Sequence, residues 1–99
     1  MLKVNEEVKD LGTIQYGTVH SFEIEVENTT AKDVPINKVQ VSCSSCTKAT
    51  ITKLIKGSSK EKLKVTFTPG VVGQTNKWVD LIYDGDQTLR IKFKALVNG

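Results

Sequence analysis

Val19-His-Ser-Phe-Glu-Ile-Glu-Val-Glu27 decides the fold class, because Phe22, Ile24 and Val26 fall on one side of an extended chain and Glu23, Glu25 and Glu27 on the other. Successive side chains of a strand point to opposite faces, so an apolar residue at every second position means one buried and one wet face. The alternation returns downstream. Leu63, Val65 and Phe67 oppose Lys62, Lys64 and Thr66; Val79, Leu81 and Tyr83 oppose Trp78, Asp80 and Ile82. Leu89, Ile91, Phe93, Ala95 and Val97 then oppose Arg90, Lys92 and Lys94, and Asp84-Gly85-Asp86 joins these last two runs as a hairpin turn. No stretch carries the period of a helix of ordinary length.

Upstream, Leu2 and Val4 begin a short strand, and Asp10-Leu-Gly-Thr-Ile-Gln-Tyr-Gly17 is a second extended piece punctuated by Gly12 and Gly17. Asn28-Thr-Thr-Ala-Lys-Asp33 is a polar turn. It leads into Val34-Pro-Ile-Asn-Lys-Val-Gln-Val-Ser-Cys43, in which Val39, Val41 and Cys43 share one phase and Val34 and Ile36 the other, so a bulge or a corner is expected near Asn37. Ala49 and Ile51 mark a short strand before Lys56-Gly-Ser-Ser-Lys60 turns the chain, and the strand after Pro69-Gly-Val-Val-Gly73 is expected to run from Asn76 to Tyr83. The fold class is therefore all-β: a single immunoglobulin-like antiparallel β-sandwich of about seven strands over residues 1–99. Within it the glutamate row at 23, 25 and 27 should face the lysine row at 60, 62 and 64. Arg90, Lys92 and Lys94 suit an exposed last strand, where charge discourages edge-to-edge pairing.

Ninety-nine residues suffice for one core and not for two. With 38% hydrophobic and 25% charged residues the composition is that of a folded domain. A net charge of +3 falls short of the basic footprint of a nucleic-acid binder, and no segment is apolar for long enough to cross a membrane as a helix. No run resembling a signal peptide opens the chain, so synthesis and residence in the cytoplasm, with reduced thiols, are expected. Starting at Met1 and ending soon after a strand, the chain reads as a complete small protein.

The order of Asp10-Leu-Gly-Thr-Ile-Gln-Tyr-Gly17, a strand ending at Asn28-Thr29, Val41-Ser-Cys-Ser-Ser-Cys-Thr47, Val65-Thr-Phe-Thr-Pro69 with Gly73, and a final alternating strand resembles the immunoglobulin-like domains of the Hydin and ASPM type. It is most similar to their short bacterial and phage branch, a domain of unknown function with an S-C-x-C-T motif, although Cys43 and Cys46 have two residues between them where that motif has one. The resemblance covers nearly the whole chain. It implies a binding or structural module without catalytic residues. A phage virion component, such as a capsid decoration or tail protein, is the narrower expectation.

Cys43 and Cys46 have the C-x-x-C spacing of redox dithiols and of half a zinc site. Zinc needs four ligands and only His20 could join the thiols, so no metal is expected. No cofactor is expected either. A thiol-disulfide redox protein is the alternative function, but it calls for a helix N-terminus that lowers the thiol pKa, and nothing after Cys46 reads as a helix. A local disulfide and two packed thiols are the remaining readings. His20 has no partnered nucleophile and is expected to start a strand, and Asn28-Thr29-Thr30 is taken as a turn despite its glycosylation pattern. Trp78, Ile82, Arg90 and Lys92 are the candidate partner-binding residues. If Val79 and Leu81 face the core, the lone tryptophan lies outside beside arginine, the make-up of a binding hot spot; in the opposite phase it is a core residue. Other protein subunits, met through an exposed sheet face or edge within a larger assembly, are the expected partners.

Overall fold

The computed structural model describes all residues 1–99 and contains nine strands in two sheets, with no helix. β1 (Leu2–Val4), β3 (His20–Asn28), β7 (Lys60–Phe67) and β5 (Thr47–Thr50) form one sheet in the order β1-β3-β7-β5. β2 (Val8–Gln15), β9 (Gln87–Asn98), β8 (Gly73–Tyr83), β4 (Val34–Val41) and β6 (Leu54–Ile55) form the other in the order β2-β9-β8-β4-β6. Inward residues of both sheets meet in a core of 16 buried side chains, among them Ile24, Leu63, Leu81, Ile91 and Phe93. The chain is an immunoglobulin-like sandwich, as the alternation implies.

The glutamate and lysine rows face one another: Glu23 pairs with Lys64, Glu25 with Lys62 and Glu27 with Lys60. Ion pairs form on the diagonals, Lys60 to Glu25 at 3.6 Å and Lys62 to Glu23 at 3.7 Å, with the side chains about half exposed. Such pairs select register more than they add stability. The bulge falls where the phase change puts it, between Ile36 and Lys38. His20 opens β3.

Four features differ from the sequence expectation. β2 pairs with β9 in parallel, so the sandwich is not antiparallel throughout. Because β2 covers β9 from Lys92 onward, the last strand lies inside its sheet and Lys92 and Lys94 are not edge guards. β8 begins at Gly73 and not at Asn76, with Gly73 at a φ of 113° that an L side chain resists. Leu54 and Ile55 add a two-residue strand against Val34 and Pro35; the proline removes no bond to β6, because its backbone faces the other side, where β8 has ended at Tyr83 and the Asp84 N–H donates to the Pro35 carbonyl.

One end of the sandwich is tied by Asn28. Its side chain is fully buried, and its Nδ2 donates toward the carbonyls of Lys32, Ile55 and Lys56 at 2.7, 3.0 and 3.2 Å. Its Oδ1 accepts from the backbone N–H and hydroxyl of Thr30. The Asn28-Thr29-Thr30 turn is thus a hydrogen-bonded knot joining the turn after β3 to the turn after β6, and its amide nitrogen has no room for a glycan.

Candidate functional site

The three-residue turn after β8 fixes which residues share the outer face of the five-stranded sheet. Asp80 faces Arg90, Trp78 faces Lys92 and Ile82 faces Thr88. β4 adds Lys38 beside Ile82 and Gln40 beside Asp80, and β2 adds Val8 beside Lys92 and Asp10 beside Lys94. Since Val79, Leu81 and Tyr83 are buried, Trp78 is on the outer face, half-buried.

At the centre of this face Asp80 is only 6% exposed and its carboxylate is gripped by both arms of Arg90, with Nε 2.8 Å from Oδ1 and an Nη 2.9 Å from Oδ2. A planar guanidinium matches a carboxylate in this two-point geometry, which fixes direction as well as distance. The hydrogen bond to Asp80 holds the guanidinium in its charged form, raising its pKa above the ordinary arginine value. Pinned there, Arg90 lies over the Trp78 ring, 4.1 Å from its centroid, across the diagonal of the β8–β9 pair. The tryptophan backbone is held too. Its N–H donates to Ser42 Oγ at 3.0 Å and its carbonyl accepts from the Ser42 N–H at 3.1 Å, at the point where β4 leaves the sheet.

The structure brings together all four residues singled out from the sequence, Trp78, Ile82, Arg90 and Lys92, on one face of two neighbouring strands. Sequence reading passed over Asp80, although the turn at residues 84–86 already sets it across from Arg90. It also passed over Val8 and Leu96, 50% and 46% exposed, which extend the apolar character of this face. Lys38, Arg90, Lys92 and Lys94 outweigh Asp10 and Asp80 there, and Asp10 is occupied by the Gly12 N–H at 2.8 Å. The surface therefore mixes apolar side chains with a pinned ion pair and is net basic.

Cys43 and Cys46 are joined by a disulfide in the connection that carries the chain from β4 in one sheet to β5 in the other. The Cys43 carbonyl accepts from the N–H groups of Cys46 and Thr47, and the Cys46 carbonyl from the Thr68 N–H, so the corner is tied to the end of β7. Thr47 enters β5 directly, leaving no helix N-terminus to activate a thiol. The arrangement is that of a staple. Closing so short a loop restricts the unfolded chain little, and reduction is expected to lower stability by about 2 kcal/mol, read from urea melts with and without dithiothreitol. Loss of folding on reduction would show instead that the crossover depends on the bond.

His20 Nε2 is 2.6 Å from the Thr18 hydroxyl, a pair that superficially resembles a base and its nucleophile. The hydroxyl has one proton, and it is given to the Gln15 carbonyl at 2.6 Å. The imidazole must therefore donate, and it activates nothing.

The family model of HYDIN/CFA65/VesB-like immunoglobulin-like domains matches residues 1–96. No curated protein matches the chain. Among solved structures, a protein of unknown function from Porphyromonas gingivalis W83 superposes with a TM-score of 0.82 at 19% identity, over 96% of this chain and 46% of that one. The PapD-like domain 7 of human CEP192 gives 0.76 at 17% identity, over 98% and 84%. The VesB protease of Vibrio cholerae gives 0.67 at 13% identity, over 99% of this chain and 32% of that one. The chain thus spans less than half of the Porphyromonas and Vibrio proteins, and at these identities the likeness speaks for the fold alone. With the family model covering all but three residues, the chain belongs to the HYDIN/CFA65/VesB-like immunoglobulin-like domain family.

Proposed function

We propose that this domain is a non-enzymatic interaction module that docks a protein partner on the outer face of its five-stranded sheet, through Trp78, Ile82, Arg90 and Lys92. The observation that carries the reading is the stack of Trp78 under an arginine that Asp80 pins by two hydrogen bonds. A large aromatic and an arginine held in place before binding lose little side-chain freedom on association, which is what makes such residues hot spots. The net basic charge of the face favours an acidic partner surface that also offers apolar contact to Trp78 and Ile82.

The narrower form of the proposal is a subunit of a repetitive assembly, a phage capsid or tail among them. Its support is the motif resemblance to the phage branch of the family. A chain made in the cytoplasm would close the Cys43–Cys46 bond once carried into a virion outside the cell, where disulfides persist.

Replacing Trp78 by alanine is expected to weaken association by ~2 kcal/mol or more, the scale of a buried aromatic anchor. The unfolding midpoint should fall by only a few degrees, because the ring lies outside the core. A binding titration and a thermal melt on the same variant separate the two effects. A large loss of stability with unchanged association would place Trp78 in a structural role.

A further inference from the structure

Beyond the proposed docking face, a second surface lies at the free edge of β8. β4 pairs with β8 only as far as Val41 opposite Val79, followed by the Ser42 contacts to Trp78; the chain then leaves for the disulfide corner. Residues 73–77 of β8 are left paired to β9 on one side and to nothing on the other. In an antiparallel pair the backbone groups of alternate residues point the same way. Trp78 directs its N–H and carbonyl toward Ser42, so those of Asn76 and Gln74 point to the same open side. No chain segment meets them there.

The inner side of this edge is open as well. Gly73, Thr75 and Lys77 continue the phase of the buried Val79 and Leu81, but they are only partly covered. A cavity of about 240 Å³ lies beside Thr75 and Lys77, and it reaches Phe67, Pro69 and the Cys43–Cys46 corner. Its polar rim has one charge, Lys77.

We propose that this edge accepts an extended peptide segment of a partner protein as an additional strand, continuing the line of β4. Main-chain groups of the peptide pair with Gln74 and Asn76, an apolar side chain at an alternate position fills the cavity against Phe67 and Pro69, and an aspartate or glutamate of the peptide meets Lys77. Main-chain pairing supplies affinity in strand addition, and pockets for alternate side chains supply specificity. A second copy of the same edge is a poor occupant, since an inward lysine on an edge strand opposes self-pairing. A carboxylate-bearing peptide reverses that effect.

The test uses the purified protein and does not need the partner of the outer face. A phage-displayed library of random heptapeptides is selected on the protein, and an enriched peptide is synthesised and titrated by amide NMR. The expected selection has apolar residues at alternate positions with an acidic residue, and the bound peptide slows hydrogen exchange at Gln74 and Asn76. Asn76→Pro should lower peptide affinity by about tenfold or more while preserving the fold, since the lost N–H makes no bond within the chain. Lys77→Gln should reduce the preference for acidic peptides, and Trp78→Ala should leave peptide binding unchanged. The proposal is overturned if no sequence is enriched, if the enriched peptides perturb other strands, if binding depends on Trp78, or if Gln74 and Asn76 are protected only by dimerisation of the protein itself. Should Asn76→Pro fail to fold, exchange at Gln74 and Asn76 in the unaltered protein decides the matter.

Discussion

Asn28→Ala is expected to destabilise the domain by about 4 kcal/mol, because truncation of this fully buried side chain strands two polar groups at once and each costs about 1–3 kcal/mol when unpaired. The Ile55 carbonyl loses its side-chain donor and the Thr30 N–H its acceptor, while the Lys56 carbonyl keeps the N–H and hydroxyl of Ser59 and the Lys32 carbonyl keeps the hydroxyl of Thr30. Asn28→Asp separates geometry from size. It keeps the acceptor for Thr30 but points a carboxylate at three carbonyl oxygens, so it should be at least as damaging. Urea melts of both variants measure the effect. A loss below about 1 kcal/mol for either would mean that water enters and replaces the amide. Domains of this size have only about 5–15 kcal/mol in total, so Asn28→Ala should leave a visible unfolded fraction at moderate temperature.

Phe93→Ala is expected to cost about 4 kcal/mol, the scale for removing a fully buried aromatic. Phe93 is 1% exposed and stands between Phe22 and Phe67, with ring centroids 5.3 and 5.2 Å away and interplanar angles of 62° and 69°. These are edge-to-face contacts, favourable beyond the area they bury. Phe22 is only partly buried and sits at the margin of the cluster, so Phe22→Ala should cost clearly less. If the two variants proved equal in denaturant titration, the three rings would be sharing the load differently from their burial.

Period-2 patterning made the faces of β3, β7 and β9 legible but left the phase of β8 open, because Trp78 and Ile82 are apolar as well as Val79 and Leu81; the paired glutamate and lysine rows made one register legible. It carries no information on which strand neighbours which. That is why the parallel β2–β9 pair, and with it the interior position of Lys92 and Lys94, could not be read from the alternation. β6 was invisible because two residues cannot display a period. Asn28 was hidden for another reason: a turn asparagine on the surface and a buried one look alike until the carbonyls of residues far along the chain are brought to it. At the candidate site Trp78 and Arg90 were legible as residue types. The grip of Asp80 on Arg90 required the hairpin register, which the turn at 84–86 encodes.

The proposal that the outer face of the five-stranded sheet is a docking surface is tested most directly by hydroxyl-radical footprinting of the isolated protein and of the protein in complex with a bound protein partner. Trp78 is half-exposed and reactive in the isolated domain, and Met1, 69% exposed at the far end, serves as the internal reference. The expected result is that Trp78 oxidation slows several-fold in the complex relative to Met1, with Ile82 protected alongside it. Equal oxidation of Trp78 in both states, with protection elsewhere on the sandwich, would contradict it.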